Sequence, residues 1–239
     1  MGPAIGKRGP LVFLHGWGTD YSVWERQVSI FSQGGVVFQP TLQSWKKEAV
    51  MELFNEAGLD GAILVGWSLG AMLALEAFAE VKGHLAGLVI VAGAARFCRS
   101  EDYQAGIAPA YLRAMKQRLQ RDVTSTLQDF YRLFFTNQEE QSRLDFEQLT
   151  FPQPSAQSCI EGLGYLMNMD LRSLLPFVDK PTLIVHGKQD QVTPLAQAEF
   201  LHCAIKGSRL RVFEDCGHMP FYSRPYIFNP ILEEFCRVC

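Results

Sequence analysis

Short apolar runs bounded by glycine or proline alternate along this chain with longer segments in which apolar residues recur at helical spacing. Runs of the first kind predict strands, and segments of the second kind predict helices. The predicted strands are residues 11–14, 36–39, 62–65, 88–91, 182–185 and 210–213. The predicted helices lie near residues 23–31, 46–57, 68–81, 195–205 and 225–237. This alternation predicts an α/β fold, with a mostly parallel central sheet covered by helices on both faces.

The alternation stops between about residues 98 and 176. No strand is predicted there, and amphipathic helical stretches cover residues 110–119 and 123–135. A helical insertion between two strands of a sheet is a candidate cap over a site at the sheet edge. We therefore expect residues 1–97 and 177–239 to form an α/β core and residues 98–176 to form a helical cap subdomain. A chain of 239 residues suits one such unit better than two independent domains.

A glycine-flanked serine marks the place where the third predicted strand meets a helix. Residues 66–70 read Gly-Trp-Ser-Leu-Gly, after the apolar run 62–65 and before a helix rich in small residues. A strand that turns sharply into a helix strains the central residue and holds its side chain outward, and flanking glycines remove the clashes of that turn. The helix N-terminus also favours negative charge near Ser68. Ser68 is therefore a candidate nucleophile, and a plain serine N-cap is the alternative.

A serine hydroxyl needs a base, and usually an acid that orients the base, before it attacks a carbonyl. Asp190 ends the turn after the strand at 182–185, and His218 lies on the loop after the strand at 210–213. Because the carboxyl ends of parallel strands meet at one edge of a sheet, both side chains can reach Ser68. The chain order is nucleophile, acid, base. We predict Ser68, Asp190 and His218 as a catalytic triad.

Other residues near these positions give alternative interpretations. Asp190 suits a turn or a helix cap, and Asp215 is a second candidate acid on the same loop as His218. His186 stands close to Asp190, but it lies inside the end of a strand, where a packed core histidine is expected. Cys216 lies two residues before His218, yet no second thiol or base follows at a recognisable spacing.

The first predicted strand ends in a glycine-flanked loop. Residues 14–18 read Leu-His-Gly-Trp-Gly. A tetrahedral intermediate carries an oxyanion, and losing one of its hydrogen-bond donors costs about 2.7–4 kcal/mol. The backbone N–H groups of Trp17 and Leu69 are the candidate donors. A tight turn at His15 and Gly16 is the alternative interpretation of this loop.

Composition and charge narrow the classes of function. With 22 basic and 25 acidic residues the net charge is −3, which gives no field of the kind that recruits nucleic acid. No signal-peptide pattern is evident, and the longest apolar stretches fall short of the roughly 20 residues that a membrane span requires. Six cysteines without metal-ligand spacing favour reduced thiols. We expect a soluble, cytoplasmic protein with no metal, no nucleic acid and no membrane partner.

Four blocks carry a resemblance to a known family. They are residues 14–18 with Val23-Trp24, residues 66–70, residues 170–172 (Asp-Leu-Arg), and Gly217-His218 with Pro220-Phe221. On these blocks the chain resembles the α/β-hydrolase superfamily. Within it the chain is similar to the esterases of biotin synthesis that hydrolyse the methyl ester of pimeloyl-acyl carrier protein and release methanol.

The resemblance implies a role for each matching residue. Ser68, Asp190 and His218 would form the triad, and Trp17 and Leu69 would line the oxyanion hole. Trp17, Phe130 and His218 would contact the substrate. No metal or organic cofactor is implied, and acyl carrier protein would be a partner.

The chain departs from the family pattern at two places. Residues 38–44 (Phe-Gln-Pro-Thr-Leu-Gln-Ser) replace an Asp-x-Pro-Gly-type turn, and few residues precede the first strand, so the sheet is expected to lack its usual leading strands. Cap arginines that grip the carrier protein in the family align with Ser125 and Asp129, and Arg143 matches only with a shift. A basic cluster is the candidate substitute, with a solvated helix face as the alternative; it comprises Arg113, Lys116, Arg118 and Arg121.

Several activities share this expected machinery. A thioesterase, a general short-chain carboxylesterase and a carbon-carbon bond hydrolase would use the same triad. A ligand-binding protein on a hydrolase scaffold is the non-catalytic alternative.

Overall fold

The computed structural model describes residues 9–42, 44–149 and 152–239, and it contains one six-stranded sheet in the order β2-β1-β3-β4-β5-β6. Every neighbouring pair is parallel. The strands are β1 (Leu11–Leu14), β2 (Val37–Phe38), β3 (Ala62–Trp67), β4 (Leu85–Val91), β5 (Thr182–Gly187) and β6 (Arg209–Phe213). All residues of β3 are buried, which requires cover on both faces of the sheet. The predicted fold class is confirmed.

Ten α-helices accompany the sheet within the described residues. They are α1 (Glu25–Phe31), α2 (Lys47–Ala57), α3 (Leu69–Val81), α4 (Pro109–Leu119), α5 (Val123–Tyr131), α6 (Glu140–Glu147), α7 (Ala156–Asn168), α8 (Leu195–Ala204), α9 (Pro220–Ser223) and α10 (Pro225–Val238). The helices α2 and α3 pack together, and α1 packs against α10. No helix among the described residues is long and apolar enough to cross a membrane.

Several element boundaries differ from the prediction. A 3₁₀ turn at Tyr21–Trp24, capped by Asp20, precedes α1, so the helix begins two residues later than expected. The strand β4 begins at Leu85, three residues early, and includes Gly87. Glycine fits at this point of the strand because α10 packs closely on it: a Cβ on Gly87 would lie 2.9 Å from the ring of Phe235.

Between β4 and β5 the chain leaves the sheet. The described residues of the segment 98–176 contain α4 to α7 and two isolated β-bridges, but no strand of the sheet. α5 ends at Tyr131 and a 3₁₀ turn follows at Arg132–Phe134, where a continuous helix to residue 135 was predicted. The division of the chain into a core and a cap subdomain stays a prediction.

Three polar contacts tie this segment to the rest of the chain. Trp17 Nε1 donates to the carbonyl of Cys159, 2.9 Å away. Tyr165 Oη donates to Glu76 Oε2 at 2.8 Å, and Arg26 pairs with a carboxylate on α6. The segment is therefore held against both the loop after β1 and the helix that follows Ser68.

Candidate active site

Ser68 occupies a strained turn between β3 and α3. Its backbone has φ 55° and ψ −118°, a combination that glycine normally occupies. The Ser68 N–H donates to the Val91 carbonyl of β4 at 2.9 Å, and its own carbonyl accepts the N–H groups of Ala71 and Met72. Ser68 is 8% exposed. The turn thus fixes the serine at the carboxyl end of the central strand.

The first turn of α3 packs directly on the end of β1. A Cβ on Gly70 would lie 2.5 Å from the His15 carbonyl oxygen and 2.6 Å from that of Leu14. Only glycine allows this approach, which brings the N-terminus of α3 beside the loop that carries Trp17. Leu69 opens α3, where backbone N–H groups have no partner inside the helix. The oxyanion-hole roles of Trp17 and Leu69 stay predictions.

Asp190 and His218 meet at the carboxyl ends of β5 and β6. His218 Nδ1 donates to Asp190 Oδ2 at 2.7 Å, with both side chains buried. The other oxygen, Oδ1, accepts the N–H groups of Val192 and Thr193 at 2.8 and 2.9 Å. Because Nδ1 is the donor, Nε2 is the acceptor nitrogen of the imidazole, and it has no hydrogen-bond partner among the described residues. The structure thus brings Asp190 and His218 together, whereas no hydrogen bond joins Nε2 to Ser68 Oγ, and the complete triad stays a prediction.

The aromatic ring before Ser68 holds the histidine loop beside the nucleophile turn. Trp67 Nε1 donates to the His218 carbonyl at 3.0 Å, and the two rings lie 5.4 Å apart. The Phe134 ring, from the 3₁₀ turn after α5, packs on the imidazole of His218, and the centroids of these two rings are also 5.4 Å apart. Trp67 was not predicted as a site residue, because nothing in the sequence distinguishes a motif tryptophan that packs from one that donates to a distant loop.

The alternative acid, base and nucleophile lie in different surroundings. His186 is buried and donates Nε2 to the Thr193 carbonyl at 2.7 Å, as a packed core histidine does, and its burial lowers its pKa. Asp215 is exposed. Burial is also the main cause that raises the pKa of the Cys216 thiol, which disfavours a thiolate. Within the part of the chain that the structure describes, no three His, Cys, Asp or Glu side chains gather as a metal site would require.

His15 braces the loop after β1. Its Nε2 accepts the Leu42 N–H at 2.9 Å, and its Nδ1 donates to the Gly16 carbonyl at 2.9 Å. Burial lowers its pKa, so the ring stays neutral. Both ring nitrogens are occupied by the backbone, so this histidine fixes the conformation of the loop that presents Trp17.

Trp17 and Phe130, both predicted to contact the substrate, lie against each other. Their rings meet edge to face at 4.9 Å, and Phe130 contacts Phe134 in the same manner at the same distance. Because Phe134 packs on His218, one continuous aromatic group joins the segment between β4 and β5 to the predicted base. Substrate contact by Trp17, Phe130 and His218 stays a prediction.

The positions that align with carrier-binding arginines carry other contacts. Asp129 on α5 pairs with Arg118 of α4 and, at 3.0 Å, with Arg132. Arg143 pairs with Glu147 on its own helix at 2.7 Å. Arg118 is therefore partly neutralised, whereas the other basic side chains of the predicted cluster lie exposed on and just after α4; they are Arg113, Lys116 and Arg121.

Known proteins resemble this chain in sequence over most of its length. A family model described as the alpha/beta hydrolase fold matches residues 48–225. The chain is 32% identical over 231 residues to the pimeloyl-acyl-carrier-protein methyl ester esterase of Nitrosomonas europaea, covering 91% of this chain and 92% of that protein. It is 30% identical over 244 residues to the protein of the same name from Vibrio vulnificus, covering 96% and 92%. These matches confirm the resemblance found in the sequence.

Solved structures are also similar. An esterase from Exiguobacterium antarcticum superposes with a TM-score of 0.89 at 27% identity, over 97% of this chain and 93% of that one. A bromoperoxidase from Bacillus anthracis, with a TM-score of 0.84 and 23% identity over 97% and 93% of the two chains, shares the fold.

Proposed function

The chain belongs to the α/β hydrolase fold family, and within that family we propose that it is a serine carboxylesterase that hydrolyses the methyl ester of pimeloyl-acyl carrier protein. The observation that carries the proposal is the His218–Asp190 pair, which leaves Nε2 of the imidazole as an acceptor next to the Ser68 turn. The substrate is supported by the two relatives with that name, which match over almost their whole length.

The reaction proceeds through an acyl-enzyme. Ser68 Oγ attacks the ester carbonyl while His218 Nε2 takes its proton, and Asp190 holds Nδ1–H and stabilises the imidazolium. The N–H groups of Trp17 and Leu69 donate to the oxyanion of the tetrahedral intermediate. On collapse the C–O bond to the methoxy group breaks, and His218 gives its proton to the departing methoxide oxygen, which leaves as methanol. Water then repeats the sequence on the acyl-enzyme and releases the free carboxylic acid and Ser68.

Aromatic side chains near the triad suit the acyl part of this substrate. Trp17 and Phe130 form a buried aromatic cluster that continues through Phe134 to His218. A chain of methylene groups gains free energy on leaving water for such a surface, by about 0.8 kcal/mol per buried CH₂. An aliphatic acyl chain that lies against this cluster would gain such free energy, which supports an acyl ester as the substrate.

The proposed carrier partner is acidic, and an exposed basic face offers complementary charge. Arg113 and Lys116 lie on the outer side of α4, and Arg121 follows one turn later. Such a face raises the encounter rate with an acidic partner and orients it. We place the docking surface for acyl carrier protein at these three residues.

Methanol release from synthetic pimeloyl-acyl-carrier-protein methyl ester tests the proposed activity directly. We expect turnover by the wild-type protein and none by Ser68→Ala. Complementation of a biotin auxotroph that lacks this esterase should follow the same pattern. Turnover by Ser68→Ala, or wild-type protein that leaves the ester intact, would contradict the proposal.

A general short-chain carboxylesterase is the second candidate, because the Exiguobacterium esterase shares 27% identity and superposes over almost the whole chain. A series of nitrophenyl esters from two to ten acyl carbons, compared with the carrier-borne ester, separates the two activities. A thioesterase or a carbon-carbon bond hydrolase would be detected with the corresponding substrates. Reaction with a fluorophosphonate probe excludes a non-catalytic binding protein, since a receptor should not react at Ser68.

A further inference from the structure

A buried carboxylate from outside the sheet contacts the loop that carries His218. Glu139 ends the 3₁₀ turn Asn137–Glu139 between α5 and α6, and the residue is 2% exposed. Its Oε2 atom accepts the Thr136 N–H at 2.8 Å and the Gly217 N–H at 2.9 Å. The first contact belongs to a local capping box. The second reaches across the fold to the residue before His218.

The same segment holds the next backbone donor of the histidine loop. The His218 N–H donates to the Phe134 carbonyl at 2.8 Å. Two successive N–H groups are thus accepted by residues 134–139, while Trp67 Nε1 binds the His218 carbonyl from the side of the nucleophile. The backbone around the imidazole is fixed from two directions, and one of them depends on Glu139.

A capping role alone does not account for the burial of Glu139. A capping glutamate needs only its own turn and is satisfied equally well in solvent. Burying a carboxylate costs free energy unless hydrogen bonds compensate for the lost water. Oε2 of Glu139 accepts two backbone N–H groups, and the Cys216 thiol also lies beside this carboxylate. The bond to Gly217 contributes to this compensation together with the bond to Thr136, because a carboxylate is a stronger acceptor than a neutral group.

The contact is also closely packed. A Cβ on Gly217 would lie 2.4 Å from the Phe134 carbonyl oxygen and 3.1 Å from Glu139 Oε2. The backbone of the loop that carries His218 therefore packs directly against the backbone at Phe134. A change at Glu139 would be transmitted to His218 through one peptide unit.

We propose that Glu139 is a positioning residue for the general base: it holds Gly217 so that the imidazole of His218 stays aligned between Asp190 and Ser68. The inference rests on the proposed function, because it assigns His218 the part of the base. Glu139 bonds to the backbone of Gly217, and the imidazole ring bonds to Asp190 instead.

Three variants test the role: Glu139→Gln, Glu139→Ala and the control Glu140→Ala, whose side chain is 73% exposed. We measure kcat and KM on a nitrophenyl ester, the rate at which a fluorophosphonate probe labels Ser68, and the melting temperature. Misplacement of a catalytic group by about 1 Å costs roughly 100-fold, so kcat and the labelling rate should fall by about that factor in Glu139→Ala. The amide of Glu139→Gln retains an acceptor without the charge, and we expect a loss of roughly tenfold. KM should change little and Glu140→Ala should behave as wild type.

The outcomes separate this inference from the proposed function. A graded loss of kcat at constant KM, with parallel slowing of labelling, supports a positioning role. A lower melting temperature with wild-type kcat and labelling rate in folded Glu139→Gln would show a structural cap and overturn the inference, even where Glu139→Ala does not fold. Absence of labelling in the wild-type protein would instead remove the proposed function, and the inference with it.

Discussion

The carboxylate of Asp190 divides its two oxygens between His218 and its own turn. Oδ2 accepts His218 Nδ1–H at 2.7 Å, and Oδ1 accepts two backbone N–H groups of the following residues. One side chain therefore makes the contacts expected of both interpretations that the sequence left open, and its role as the triad acid stays a prediction. Because the backbone donors occupy Oδ1, the orientation of the carboxylate toward the imidazole is fixed.

Asp190→Asn should abolish most activity without unfolding the protein. The turn N–H groups will retain the amide oxygen, so the NH₂ group faces His218 Nδ1 and forces the imidazole proton onto Nε2. A base with that tautomer cannot accept the serine proton, and kcat should fall on the order of 10⁴-fold. Asp215→Asn, at an exposed position on the neighbouring loop, should have wild-type kcat. Equal effects of the two variants in steady-state assays would argue against the assignment of the acid.

Replacing Ser68 by glycine should stabilise the fold while it removes the proposed nucleophile. A side chain at φ 55° and ψ −118° is strained by about 1–3 kcal/mol. Ser68→Ala keeps the Cβ and that strain, whereas Ser68→Gly relieves it and loses part of the gain to the greater freedom of the unfolded glycine. We expect Ser68→Gly to exceed Ser68→Ala by about 1 kcal/mol in the free energy of unfolding. Urea titration of both variants measures the difference, and the reverse order would mean that the turn is not strained.

Two glycines on α7 should respond oppositely to alanine. A Cβ on Gly162 would lie 2.4 Å from Cδ1 of Trp17 and 2.8 Å from Nε1 of Trp45. Gly162→Ala should cost about 1–3 kcal/mol through overpacking and reduce activity by displacing Trp17. Gly164 has nothing within 4 Å of that position, so Gly164→Ala should add about 0.5–1 kcal/mol. Thermal melts and ester hydrolysis of the two variants check the contrast; similar changes in both would contradict the packing described.

Stability should fall as the pH drops below about 6.5. Burial lowers the pKa of both His15 and His186 from the ordinary value of 6.5. The unfolded chain then binds more protons than the folded one between the two pKa values, so the stability is fully present above the unfolded pKa and is lost as the pH falls toward the folded pKa.

Urea unfolding at pH 8, 6 and 5 measures this loss before the carboxylates titrate appreciably. His202→Gln, which changes an exposed residue, should show the same fall in the free energy of unfolding between pH 8 and pH 5. A free energy of unfolding that stays constant from pH 8 to pH 5 would contradict the neutral, buried state of the two histidines.

Charge reversal on and just after α4 should weaken turnover of the carrier-borne ester and leave turnover of a small nitrophenyl ester unchanged. The triple variant Arg113→Glu, Lys116→Glu, Arg121→Glu removes the exposed charges and spares Arg118, which pairs with Asp129. Three surface contacts of this kind are together worth roughly 1.4 kcal/mol, so KM for the carrier substrate should rise about tenfold. KM for a nitrophenyl ester should not change, and Lys206→Glu serves as a basic control. Unchanged KM for the carrier-borne ester would place the docking surface elsewhere.

The sequence by itself determined the strands and the positions of the candidate catalytic residues along them. Apolar runs and glycine turns are local properties, so the six strands appeared at nearly the observed positions, and Ser68, Asp190 and His218 fell at the ends of β3, β5 and β6. Since parallel strands deliver their carboxyl ends to one edge, this local information already predicted the meeting of Asp190 and His218.

Only the tertiary structure decided how the histidine loop is held. The bond from Gly217 to Glu139 joins residues 78 positions apart, and the bond from Trp67 to the His218 carbonyl spans 151 positions. Neither leaves a periodic or compositional mark, because a capping glutamate and a motif tryptophan look the same in the sequence whether or not a distant loop packs on them. Burial and hydrogen bonding depend on what the fold brings together, and for these residues that information exists only in three dimensions.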